Sequence, residues 1–165
     1  MIRNMLFFIV AFAVLTGCTR DDLCPADTQT TPSLILTFND YRNENQRKSV
    51  EGISIEIMEP ETVEILRNST IDSIALPLDI NSDRTSYRFI RTRIIDTDTI
   101  IDTEELHFSY SRNEIYVNRA CGFRAEFHDL IVADRNTIGN PWIQEIKIKR
   151  DSIVDETKAH IHILH

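Results

Sequence analysis

Three histidines close the sequence: His160, His162 and His165. Residues two apart on a strand share a face, so His160 and His162 are candidate ligands for Zn²⁺ or Cu²⁺; His165 joins them only if the chain curls back. The sequence places no further Cys, His or acid beside them. The stronger reading puts these histidines on the outward side of a half-buried strand, with Ile161 and Ile163 inward. A second cluster, Asp96, Asp98, Asp102, Glu104 and Glu105, offers the oxygen ligands that Ca²⁺ takes, but it lacks the Gly and the terminal Glu of an EF-hand loop. It reads better as a solvated hairpin loop. Cys121 with His128 would make a nucleophile and its base, yet no neighbouring residues suggest an activating environment. Trp142, Tyr87, Tyr110 and Tyr116 are a candidate sugar-stacking platform, with core packing as the preferred reading. There is no Gly-x-Ser-x-Gly, no His-Glu-x-x-His, no P-loop and no dinucleotide fingerprint. The expectation is therefore a protein without enzymatic activity, cofactor or metal. A small paired-carboxylate hydrolase is the least favoured reading.

The start of the chain carries an address. Arg3 precedes an unbroken apolar run from Met5 to Leu15, too short to span a bilayer as a helix, which needs about 20 residues. A basic front, a short apolar core and small residues behind it make a secretory signal peptide. Its rear end, Leu15-Thr16-Gly17-Cys18, looks like a bacterial lipobox, with cleavage before Cys18 and lipidation of that residue. Residues 1–17 are then a signal peptide and 18–30 a lipidated tether. A single domain spans 31–165. Thr19-Arg20-Asp21-Asp22 resembles a signal for display on the outer face of the outer membrane, and reads equally as a charged tether on the periplasmic side. With Cys18 lipidated, two cysteines remain. In an oxidising compartment Cys24 and Cys121 are expected to form a disulfide that pins the start of the domain to a distant strand.

The domain that must position these residues reads as β throughout. Apolar residues alternate with polar ones at Leu34, Leu36 and Phe38; at Ile53, Ile55 and Ile57; at Ile74, Leu76, Leu78 and Ile80; and at Tyr87 and Phe89. The same period of two recurs at Leu106, Phe108 and Tyr110; at Phe123, Ala125 and Phe127; at Ile146 and Ile148; and at Ile161 and Ile163. Pro77 marks its stretch as an edge strand or a bulge. Only 59–68 has the Glu, Leu and Arg content for a turn or two of helix. Turns are expected at 39–40, 43–48, 81–83, 111–113 and 139–141. The fold class is all-β: an immunoglobulin-like or prealbumin-like β-sandwich of about seven to nine strands, with a small calycin-like β-barrel as the alternative. The chain has 165 residues, 42% hydrophobic, and a net charge of −8, which argues for one globular domain and against nucleic acid as a partner.

Several segments together resemble an uncharacterised, lipid-anchored envelope lipoprotein family of Bacteroidota. They are Cys-Thr-Arg-Asp-Asp-Leu-Cys at 18–24, Thr30-Thr31-Pro32 leading into Leu34-Ile35-Leu36, Ile74-Ala75-Leu76-Pro77-Leu78, Ser109-Tyr110-Ser111-Arg112, Asn118 to Phe123, and Ala159 to Ile163. The resemblance implies a β-rich envelope protein and brings no known activity. Three tripeptides, Asp72-Ser73-Ile74, Asp98-Thr99-Ile100 and Asp151-Ser152-Ile153, resemble the O-glycosylation sequon of that phylum. Ser73, Thr99 and Ser152 are therefore candidate glycosylation sites. The expected role is that of an outer-membrane lipoprotein on the periplasmic face or cell surface. Its lipid holds the membrane, and its domain binds an envelope protein or, alternatively, a glycan.

Overall fold

A computed structural model of the chain describes residues 23–165. Cys18 and the signal-peptide residues lie outside that range. The described residues form ten strands and no helix: β1 (Leu34–Asp40), β2 (Asn43–Arg47), β3 (Val50–Ile57), β4 (Val63–Ile71), β5 (Ser73–Leu76), β6 (Arg84–Ile95), β7 (Asp98–Asn118), β8 (Gly122–Ile138), β9 (Glu145–Ile148) and β10 (Ile161–Leu164). They build two five-stranded sheets. One runs β2-β1-β10-β9, with β5 also along β1; the other runs β4-β3-β6-β7-β8. Neither closes on itself, so the molecule is a β-sandwich and not a barrel. The strand count exceeds the expected seven to nine because β2 and β4, neither marked by regular alternation, also pair.

The alternation that marks the strands also sets the core. Ile53, Ile55, Tyr87, Phe89, Leu106 and Phe108 of one sheet pack against Leu34, Leu36, Phe38, Ile161 and Ile163 of the other, all fully buried. β1 is the hub. It pairs parallel with β10, Leu36 opposite Ile161 and Phe38 opposite Ile163, and antiparallel with β5 and β2 on its other side. Pro77 ends β5 on a sheet edge, as the missing N–H requires.

Three local expectations fail for one physical reason. The helix at 59–68 is instead a loop leading into β4, because the open edge of β3 captures Val63 to Ile71 as a paired neighbour. The turn at 43–48 is largely β2, an exposed edge strand on β1. The turn at 111–113 lies inside β7. In each case backbone pairing along an available edge outweighs weak local preference.

β7 and β8 are long. β6 covers β7 only from Asp98 to Ser109, and β8 pairs with β7 on to the turn at 119–121. Residues 111–118 and 122–128 therefore form a two-stranded arm, set off by register shifts near His107–Phe108 and Ser109–Ser111. Its base is held by Phe127, which bridges to Ile153 and packs edge-on against Tyr110 at 5.0 Å.

Candidate functional site

The arm is tied to the start of the chain. Cys24 and Cys121 form a disulfide across a sequence separation of 97, with Cα atoms 4.9 Å apart. Cys121 sits in the turn at the arm's tip rather than in a strand. Further along, the Ala125 N–H donates to Thr31 Oγ1 at 2.9 Å, so the segment after Cys24 follows the arm down to β1. The bond removes the thiol that a Cys121–His128 nucleophile pair would need.

The acidic stretch is not a solvated loop. Asp96 and Asp98 are exposed at the β6–β7 turn, but Asp102, Glu104 and Glu105 are buried, and each meets an arginine. Asp102 accepts from Arg93 Nη2 at 2.6 Å and from the Asn140 side chain at 3.0 Å. Burial alone would raise the Asp102 pKa; these hydrogen bonds outweigh it and leave it lowered. Glu104 accepts from Arg135 Nε at 2.9 Å and Nη2 at 2.7 Å, and from Thr137 Oγ1 at 2.7 Å. Glu105, on the opposite face of the sheet, accepts from Asn136 and Arg88. The acids therefore point to two faces and do not converge on one cation.

Asp102 and Glu104 share a face with Leu106 and Phe108, and Arg91 and Arg93 share one with Tyr87 and Phe89. The inward face thus changes, toward the β6–β7 turn, from aromatic and aliphatic to charged. A cleft of about 360 Å³ opens there, lined by Lys48, Arg91, Arg93, Asp102, Trp142 and His165, among others. Trp142 is 5% exposed, packs 6.3 Å from Phe38 and 6.0 Å from His165, and carries the Arg91 guanidinium 5.9 Å from its ring centroid. Burial, then the neighbouring Arg93, lowers the Arg91 pKa. Among the described residues Arg91 forms no ion pair. Glu51 also lines the cleft, so with Asp102 its charges are mixed; Arg93 is paired with Asp102 and Lys48 with Asp40.

The aromatic platform is dispersed. Tyr87 is buried and donates to the Pro77 carbonyl; Tyr110 is buried and donates to the Asp79 carbonyl at 2.9 Å, so both pin the crossover after β5. Trp142 is enclosed, and Tyr116 lies far off on the arm.

The three histidines also separate. His160 is buried, not outward. Its Nδ1 accepts from the Ile35 N–H at 3.0 Å, and Arg150 Nη2 stands 2.9 Å from Nε2. Burial, then Arg150, lowers its pKa to about 4, so the ring is neutral at neutral pH. His162 is half-buried on β10. His165 packs on Phe38 and Trp142 and donates from Nε2 to the Lys48 carbonyl at 3.0 Å. Among the described residues no three His, Cys, Asp or Glu side chains are arranged to hold a metal ion. Of the candidate glycosylation sites, Ser73 and Thr99 are exposed on strands, and Ser152 is half-buried.

One surface was not anticipated. On the outer face of β6, β7 and β8, Ile94, Ile101 and Ile138 are 76%, 58% and 55% exposed. The register makes them diagonal neighbours: Ile94 faces Thr99, Thr92 faces Ile101, and Thr103 faces Ile138. This strip and the Trp142 cleft occupy the same end of the molecule. The disulfide-tied tip lies at the other end of β7, up to about 50 Å away along fifteen strand residues. The sequence signal was present in each case: isoleucines on the face opposite the core positions, and arginines at core positions.

The fold and its two ends define an all-β sandwich with a charged cleft and an apolar strip at one end and a disulfide-clamped arm at the other. The chain belongs to a family of unknown function, DUF6452, whose model matches residues 52–165. No curated protein and no solved structure matches the chain. The matched stretch begins inside β3, so the hub strand β1 and Cys24 precede it.

Proposed function

We propose that this protein is a lipid-anchored, non-enzymatic module of the bacterial outer membrane that holds another envelope protein at the end remote from its anchor. The observation that carries this reading is the strip of Ile94, Ile101 and Ile138, apolar and contiguous on an otherwise acidic protein. Contiguous apolar surface of this kind marks sites of association. The lipobox at Cys18 supports the anchor. The enclosed Trp142 weighs against an open sugar-stacking platform. The test is affinity purification of the lipidated full chain from its own membranes, alongside Ile94→Lys and Ile101→Lys. A near-stoichiometric protein that is lost with both variants supports the reading. A glycan found on Thr99, directly opposite Ile94, would cover the strip and overturn it. A partner retained equally by both variants would overturn the assignment of the surface.

A further inference from the structure

The arm's tip has a composition unlike the rest of the chain. Tyr116 and Phe123 face each other across the hairpin, 59% and 66% exposed, with ring centroids 5.3 Å apart in an edge-on pair. Phe123 has the parity of the core residues Ala125 and Phe127, yet it lies beyond the point where the sandwich can cover it. Ile115 and Val117 add apolar surface on the other face of the same strand, half-buried. From Ile115 to Ala125 there are two arginines, Arg119 and Arg124, and no acid, in a protein with 26 acids against 18 basic residues. Arg124 is paired with Glu126; Arg119 is exposed in the turn itself.

The position of the tip is fixed by the disulfide. Six residue steps separate Cys18 from Cys24, about 20 Å even when fully extended. Cys24 in turn lies 4.9 Å, Cα to Cα, from Cys121. On the reading that Cys18 carries the lipid, the tip cannot stand more than about 25 Å from the anchored residue. Without the disulfide, the first strong attachment would be Thr31, and the leash would be roughly twice as long.

We propose that the tip of the β7–β8 arm is a membrane-contact element. Tyr116 and Phe123 enter the lipid–water interface, and Arg119 meets lipid phosphate. Aromatic side chains favour this boundary because one end is apolar and the surroundings are wet, and a cation beside them gains from an anionic headgroup. The occupant is the bilayer rather than a protein partner, because the anchor brings the bilayer to this end and the exposed rings of Tyr116 and Phe123 give it apolar surface to meet. The sandwich would then stand on its tip, with the isoleucine strip and the Trp142 cleft facing away from the membrane.

This inference rests on the lipid anchor of the proposed function, and the experiment separates the two. The lipidated full chain is reconstituted into vesicles of phosphatidylcholine and phosphatidylglycerol in which part of the lipid is brominated, a quencher of tryptophan fluorescence. Three forms are compared: the native chain, whose single tryptophan is Trp142, and the variants Phe123→Trp and Ile94→Trp. The expected result is that Phe123→Trp loses an additional, roughly twofold share of its fluorescence, while the native chain and Ile94→Trp do not. Tyr116→Trp should behave as Phe123→Trp and guards against one variant misfolding. Protein that carries no lipid and stays out of the vesicle fraction would sink the anchor and this inference together. Anchored protein with no quenching at either tip position would overturn the tip contact alone. Equal quenching in Ile94→Trp would also overturn it, because the protein would then be lying flat.

Discussion

The buried pair Glu104–Arg135 gives a sharp test of the inward charged layer. Glu104 is fully enclosed, whereas the Arg135 side chain keeps 29% of its exposure. Besides the two bonds from Arg135, Glu104 accepts from Thr137, and Arg135 also donates to the Ile143 carbonyl at 2.7 Å. Breaking a buried pair from one side typically costs about 3–5 kcal/mol, because the partner is left charged and uncompensated. The two sides should not be equal here. Glu104→Leu leaves a guanidinium that can still reach water and should cost about 3 kcal/mol; Arg135→Met leaves a carboxylate with no such route and should cost about 4–5 kcal/mol. The double variant removes both charges and should cost no more than about 2 kcal/mol, giving a coupling energy of roughly 5 kcal/mol or more. At about 3 °C per kcal/mol for a domain of this size, the singles should melt roughly 10–15 °C below the wild type, and the double well above both. Denaturant unfolding of the four proteins measures all of this. Additive single effects, or a double variant less stable than either single, would refute the argument that these charges sit in a low-dielectric interior.

Three further outcomes follow from features already described. His160 binds its proton less readily when folded, its pKa lowered to about 4 by burial and Arg150, so the unfolded chain takes up more protons below the ordinary value near 6.5. Stability should therefore fall as pH drops from about 6.5 to 4, by up to about 3 kcal/mol from this residue, and His160→Asn, whose amide oxygen can replace Nδ1, should flatten that slope in pH-dependent melting. Removing the disulfide with Cys24→Ala and Cys121→Ala frees a loop of 97 residues and should lower stability by about 4–5 kcal/mol in denaturant titration, with no such loss in Cys18→Ala. Gly52 has φ of +66° and a Cβ there would overlap the Thr92 carbonyl oxygen of β6; Gly52→Ala should lose at least about 2 kcal/mol by thermal melting, while Gly122→Ala, with open space around its Cβ position, should lose less.

The parts of the fold that rest on local periodicity were legible in the residues. Leu34, Leu36 and Phe38, or Leu106, Phe108 and Tyr110, declare a buried face because a strand has only two sides. The Cys24–Cys121 bond was the expected pairing if Cys18 carries lipid and the compartment is oxidising, and the two cysteines are bonded. What periodicity cannot carry is partnership. The parallel pairing of β1 with β10 joins residues about 125 positions apart, and no property of Leu36 names Ile161 as its neighbour. Charged residues misled for a related reason. Asp102 and Glu104 look solvated by type, and only their parity with Leu106 shows that they point inward, where Arg93 and Arg135 meet them. The arm's tip was hidden because Phe123 has the parity of Ala125 and Phe127 and looks like a core residue until the opposing layer is known to end before it reaches it. Ile94 and Ile101 carry the opposite parity to Phe89 and Leu106, a signal that apolar side chains easily mask.

The place of β1 at the hub of its sheet sets a schedule for folding. This strand leaves the ribosome among the first described residues, yet it must wait for β10, among the last, before its parallel side is covered. A shortened chain can form the β6–β7–β8 hairpins but cannot complete the facing sheet, so the apolar side of those hairpins stays open to water. Such non-local closure is slow and arrives late in assembly. A chain lacking β10 should therefore not settle into a smaller sandwich. It should remain unfinished, and while unfinished it stays pliable enough to be threaded through a narrow passage.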